Sequence, residues 1–231
     1  MDLFNILFFM IIIAFGCLGF SRGLTKQIVI FIGTIIVLII AYELKSVIGD
    51  FFLLNLPFIK FSWGISSLNI LFYQGLAFFI IVILLEVVLK ILIAITSVFE
   101  KILKYTIILG IPSKLLGMLV GFLEGYVFAF LFAFIVTQPF FNGVFGINRT
   151  GLAEKVVNNS PILSSLAEDT LTVGNEIYQL KDEEDKNKVE LKLVDLCLEN
   201  EVVDLDVVDK LVEKDKLQIN DLESVLSKYR K

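Results

Sequence analysis

Apolar residues in the first 140 positions come in long runs, not at the spaced intervals of a half-buried helix or strand. Four runs approach the roughly 20 residues a helix needs to cross a hydrocarbon core about 30 Å thick. They are Leu3 to Phe20, Gln27 to Tyr42, Leu68 to Ile95 and Leu115 to Val136. The first two carry no charge, the third only Glu86 and Lys90, and the fourth only Glu124. The pattern predicts an all-α integral membrane bundle of four transmembrane helices (3–20, 27–42, 68–95 and 115–136), the shorter ones borrowing turns from their flanks. Residues 46–67 hold Phe51, Phe52, Phe58, Phe61 and Trp63 but are broken by Asn55, Pro57, Lys60 and Gly64. Aromatic residues beside charges suit the headgroup zone, so this stretch reads as an interfacial or re-entrant segment, or equally as a loop with apolar side chains. Met1-Asp2 places an acid where a secretory signal needs Lys or Arg, and no A-x-A site follows. The first run is therefore expected to be a retained helix. Ala14-Phe15-Gly16-Cys17 resembles a lipoprotein cleavage site but lacks its leading Leu.

After Gln138-Pro139 the pattern changes. Asn142 to Asn148 reads as an exit loop, and Ser160-Pro161 as a capped helix start with proline at the first position. Seven of the eight residues from Lys181 to Lys188 are charged, the mark of a linker or a solvated helix start. Further on, Val208, Leu211, Val212 and Leu222, Val225, Leu226 have helical spacing, with Asp206 and Asn220 as expected N-caps. Residues 141–180 are thus an exit loop with short helices, and 181–231 a small acidic helical tail. That tail is either a self-contained bundle or a docking module presenting one apolar face to a partner.

Composition sharpens this division. The 231 residues are 57% apolar with 22 Phe, and mean hydropathy is +0.84, above the 45–50% apolar content usual for soluble domains. Residues 1–140 carry a net charge of +2 and residues 141–231 one of −7. There is no histidine, which excludes a Ser–His–Asp triad and any His-ligated metal. Cys17 and Cys197 are too far apart in sequence and setting to suggest a disulfide framework or a metal site. No phosphate-binding glycine motif occurs, and an isoelectric point near 4.9 offers no basic face to nucleic acid. No cofactor, metal or nucleic-acid partner is implied, and a conventional enzyme is not expected. Lys and Arg counts in short loops set orientation. Arg22, Lys26, Lys101, Lys104 and Lys114 on one side against Lys45, Lys60, Arg149 and Lys155 on the other place both termini outside the cytoplasm.

Charges within membrane helices are costly and usually face other helices or water. Glu86 and Lys90, four apart, share a helix face and can pair. Gly75, Glu86, Lys90, Ser97 and Lys104 fall within a sector of about 60°, which predicts an inward face. In the fourth run Gly117, Gly121 and Gly125 form two overlapping G-x-x-x-G units, a device for close helix packing. Glu124 lies roughly 20° from Gly117 on the wheel, within that seam. Glu86, Lys90 and Glu124 read either as a proton or ion relay or as a structural polar clamp, with Lys90 shared between the two carboxylates.

Two segments carry a family resemblance: Gly19-Phe20-Ser21-Arg22-Gly23-Leu24-Thr25-Lys26-Gln27 and Leu116-Gly117-Met118-Leu119-Val120-Gly121-Phe122-Leu123-Glu124-Gly125. The chain resembles the colicin V production protein family, bacterial membrane proteins of about four helices. Members have an Arg-Gly pair after the first helix, here Arg22 and Gly23, and a triple-glycine helix near the end of the domain. The resemblance covers roughly residues 1–165. It departs at Pro112-Ser113-Lys114, and at Glu124, where the family often has a basic residue. It implies a bacterial cytoplasmic membrane protein supporting toxin or bacteriocin production or export, and envelope maintenance. It carries over no catalytic residue. The alternative is a small oligomeric transporter or channel subunit using Glu86, Lys90 and Glu124. A membrane-anchored protease, the third class, is disfavoured by the missing histidine. Expected partners are the lipid bilayer and either a second copy or a membrane or envelope protein, met through the glycine face or the acidic tail.

Overall fold

The structure, a computed structural model, describes residues 3–103, 111–141, 151–165, 168–180 and 182–230, with the backbone alone for 96–103. Four long helices lead: α1 (Leu3–Arg22), α2 (Leu24–Asn55), α3 (Leu68–Leu103) and α4 (Ile111–Thr137). Six shorter ones follow: α5 (Gly151–Asn158), α6 (Pro161–Ser164), α7 (Glu168–Gln179), α8 (Lys186–Glu199), α9 (Leu205–Glu213) and α10 (Leu222–Leu226). No strand occurs among the described residues. All four long helices are long and apolar enough to cross a membrane. The expected side chains of Ser97, Lys101 and Lys104, the loop 142–148 and Arg149 lie outside what is described.

α1 packs antiparallel on α4, α2 antiparallel on α3, and α2 also lies along α4. α3 is an edge helix, chiefly against α2. Its outer residues, among them Ile83, Leu84, Val87, Val88, Ile91 and Leu92, stay exposed. So do Phe9, Met10 and Ile13 of α1. Such outward apolar faces are what a lipid solvent requires of a helix bundle.

α2 has 32 residues, so it is about 48 Å long and outruns the hydrocarbon core. Residues 46–55, expected to be interfacial, continue this helix. Only 57–67 form a loop, and protein covers it: Phe58, Phe61 and Trp63 pack against the core of the tail. Asn69 pins the loop, accepting from the Ile59 N–H at 2.8 Å and donating to the Ile59 carbonyl at 3.0 Å.

The acidic tail is joined to that end of the bundle. Leu193, Val194, Cys197, Val208, Leu211 and Leu226 share one core with Leu53, Leu68 and Leu71 of the α2–α3 hairpin. Within 168–230, Val212 is the single large apolar side chain left exposed among the described residues. The apolar face of the tail is therefore spent on its own chain. Polar groups complete the joint. Glu190 of α8 stands before the N-terminus of α3, accepting from the N–H groups of Ser66 at 2.6 Å and Ser67 at 3.0 Å. At the C-terminus of α2, Lys216 Nζ donates to the carbonyls of Leu53 at 2.7 Å and Leu56 at 2.8 Å, and Lys214 Nζ to that of Leu54 at 3.1 Å. An anion thus meets the positive end of one helix dipole and cations the negative end of the other.

The small helices start close to where sequence places them. Ser160 precedes Pro161 at the start of α6, but its hydroxyl donates to the Val156 carbonyl at 2.6 Å and does not cap. Asp185 caps α8, accepting from the Lys188 N–H at 3.2 Å. The N-caps of α9 and α10 are Asp204 and Asp221, not Asp206 and Asn220. Asp206 falls inside the first turn of α9, and neither Asp204 nor Asp221 makes a side-chain capping hydrogen bond.

Candidate functional site

The site begins at the turn between α1 and α2. Gly23 alone separates the two helices, with φ of +77°, a left-handed conformation that a Cβ would strain. The sharp reversal sets Arg22, the last residue of α1, beside the first turn of α2. There its Nη1 donates to Gln27 Oε1 at 3.2 Å and stands 3.8 Å from Glu124 Oε2 on α4. Gln27 Nε2 donates to the same carboxylate oxygen. Glu124 is only 2% exposed and Gln27 fully buried. Arg22, Gln27 and Glu124 therefore form one closed group linking α1, α2 and α4.

The glycine stripe explains how α4 comes so near. A Cβ built on Gly117 would stand 2.5 Å from the Gly19 carbonyl oxygen, and one on Gly121 2.4 Å from that of Phe15. At Gly125 it would meet Ile12 Cα at 2.9 Å, and at Gly19 the Gly117 oxygen at 2.2 Å. These are backbone-to-backbone approaches that only glycine permits. The face offered by sequence to a second copy is filled by α1 of the same chain. Ser113, at the start of α4, accepts from the Leu24 N–H at 3.2 Å and fixes the register at the turn.

Glu86 and Lys90 do not pair with each other. Glu86 is buried and accepts from Thr34 Oγ1 of α2 at 2.9 Å. Lys90, one turn on, is exposed and has no ion-pair partner among the described residues. It sits five residues from the end of the candidate span Leu68–Ile95, within reach of the headgroups for a snorkelling ammonium. The spacing allowed the pair, but α2 supplies a hydroxyl to Glu86, and among the described residues α3 has no helix over its other flank. Of the three charges expected to cluster, the structure turns Glu86 and Glu124 inward and leaves Lys90 outside.

Sequence reasoning missed the organising element, the inner face of α2. Gln27 and Thr34 are seven residues apart, so they lie on one side of that helix and hold one carboxylate each. Neither is charged, and each reads as a minor interruption of an apolar run. A wheel drawn for this helix would have shown them together. Chemically, the arrangement can hold two buried carboxylates, one on α3 and one on α4, each satisfied by a donor from α1 or α2. A buried charge left without such donors is strongly destabilising. Among the described residues no group of acidic and cysteine side chains has the geometry of a metal site.

Comparison with known proteins fits this architecture. No curated protein and no solved structure matches the chain. The sequence model described as colicin V production protein matches residues 4–168, which takes in all four long helices, the Arg22-Gly23 turn and the whole glycine seam. The chain is a multi-pass membrane protein that belongs to the colicin V production protein family.

Proposed function

We propose that the protein is a non-enzymatic scaffold of the bacterial cytoplasmic membrane, supporting production or export of a secreted toxin and maintenance of the envelope, with both termini outside the cytoplasm. The observation that carries this reading is the closure of the polar seam. Glu124 is held by Gln27 and Arg22, and Glu86 by Thr34, as befits a clamp between helices. Family membership supports the choice of process. With α1 filling the glycine stripe, a membrane or envelope partner, or a second copy, would meet the exposed flank of α3 or the charged outside of the tail.

A second reading, a small transporter, rests on Glu86 and Glu124 lying along one face of α2, where a relay could run. One variant separates the two. In a bacteriocin-producing strain lacking the chain, Glu124→Gln should restore secretion and detergent resistance as the wild type does, while Gly121→Leu should not. Failure of Glu124→Gln in a correctly assembled protein, together with loss of pH-dependent flux in proteoliposomes, would overturn the scaffold in favour of transport.

A further inference from the structure

A narrow groove lies between α2, α3 and α4, holding about 600 Å³ when the space that opens to its surroundings is counted. Its walls are apolar, from Leu38, Phe78, Val127, Phe130 and Phe134. Its rim is polar, with Tyr42, Lys45, Gln74 and Thr170. The rim residues Tyr42 and Lys45 fall where the apolar run of α2 ends, at the depth where Tyr and snorkelling Lys meet headgroups.

Two opposite charges, Lys45 on the rim and Asp169 next to the lining residue Thr170, are kept apart. Lys45 Nζ lies 3.6 Å from the centroid of the Tyr42 ring, and the hydroxyl of that ring donates to Asp169, at the start of α7. Among the described residues neither Lys45 nor Asp169 has an ion-pair partner. One aromatic ring therefore spaces an ammonium on the rim of the groove from a carboxylate just beyond it. Glu43 and Glu168 add negative charge beside Tyr42.

We propose that this groove binds an aminophospholipid of the surrounding bilayer, one acyl chain between the helices, its phosphate at Lys45 and its primary ammonium at Asp169. The charge pattern selects this occupant. A fatty acid would match Lys45 and leave Asp169 unanswered. A purely anionic phospholipid would bring a second negative headgroup towards Glu43, Glu168 and Asp169. A headgroup carrying both signs answers both, with charge-assisted hydrogen bonds at each end.

The test offers phosphatidylethanolamine, phosphatidylcholine, phosphatidylglycerol or oleic acid to the delipidated full chain in detergent, with bound lipid counted by native mass spectrometry. Phosphatidylethanolamine should be retained about tenfold better than the others. Lys45→Ala should lose about that factor and Lys45→Arg regain it. Asp169→Asn, which still accepts from Tyr42, should erase the preference over phosphatidylcholine without moving the melting temperature of the lipid-free protein. Should Lys45→Ala not fold, the Asn and Arg variants decide alone. Equal or better binding of phosphatidylglycerol or oleic acid, or an Asp169→Asn variant with its lipid preference intact, would overturn the proposal.

Discussion

Removing the Glu190 carboxylate should undock the tail from the membrane bundle. Glu190 receives the N–H groups of Ser66 and Ser67 and, at 2.9 and 3.0 Å, the Ser66 hydroxyl. It is buried, so Glu190→Ala leaves two backbone donors at the head of α3 facing a void. An orphaned buried donor costs roughly 1–3 kcal/mol. Ser66 is half-buried and water would relieve part of its loss, which brings the total to about 2–4 kcal/mol. Glu190→Gln keeps an acceptor for one of the two N–H groups but turns an NH2 towards the other, so it forfeits the charge opposite the α3 dipole and one backbone acceptance, about 1–3 kcal/mol. Limited trypsinolysis of the full chain in nanodiscs reads the open population, through cleavage at the exposed Lys186 and Lys188. If opening is fast relative to cleavage, the Ala variant should be cut roughly 30- to 900-fold faster than the wild type and the Gln variant less fast than Ala, by roughly 5- to 150-fold over the wild type. Equal rates for Ala and Gln, or an Ala variant cut no faster than the wild type, would refute the reasoning.

Three further outcomes are expected. Gly121→Ala drives a Cβ to within 2.4 Å of a carbonyl oxygen on α1, so α1 and α4 must separate. It should lose about 1–3 kcal/mol in detergent unfolding, whereas Gly75→Ala, whose Cβ meets nothing nearer than 3.8 Å, should cost less. Cys197 is fully buried and its burial pushes the thiol pKa up. An impermeant maleimide should therefore miss it in intact and lysed cells alike, and a Ser227→Cys variant on the exposed end of the tail should label in intact cells if the termini are external. The Tyr229 phenol, pushed up to about 12 by burial and then by its hydrogen bond to Asp195, favours the folded tail while protonated. That contribution is whole below the ordinary value of 10.0, fades as pH rises and is lost beyond about 12. Alkaline titration should show this tyrosine ionising with tail unfolding, and Tyr229→Phe should remove the coincidence.

Most of the membrane architecture was legible, because lipid leaves each spanning helix as an uninterrupted apolar run and glycine ladders announce close packing. Gly117, Gly121 and Gly125 read as a seam from spacing alone, but their partner did not. Gly19 lies on a different helix, and nothing local says which surface meets which. Lys90 was misplaced for a related reason, since wheel position fixes a face of α3 without saying how far its neighbours reach along it. The extension of α2 through residues 46–55 was hidden by the tail, whose apolar residues cover Leu53 from more than 120 positions away. Cap positions slipped by one or two residues where aspartates crowd. Gln27 and Thr34 carry no sequence signal of their own, because formal charge marks the carboxylates, whereas donors that make buried carboxylates tolerable can be neutral.

The seam between α1 and α4 also carries a constraint on biogenesis. Gln27 and Glu124, which meet at its closed end, are 97 residues apart in the chain. At about 5–20 residues per second, a ribosome needs roughly 5–20 s to make that stretch. During this interval α1 resides in the bilayer with its small-residue groove open and Arg22 without its carboxylate. The hairpin of α2 and α3 is complete well before the groove is filled. Insertion of α4 is thus the step that locks the bundle, and a nascent chain stalled before Glu124 would present quality-control proteases with an unpaired arginine at the membrane edge.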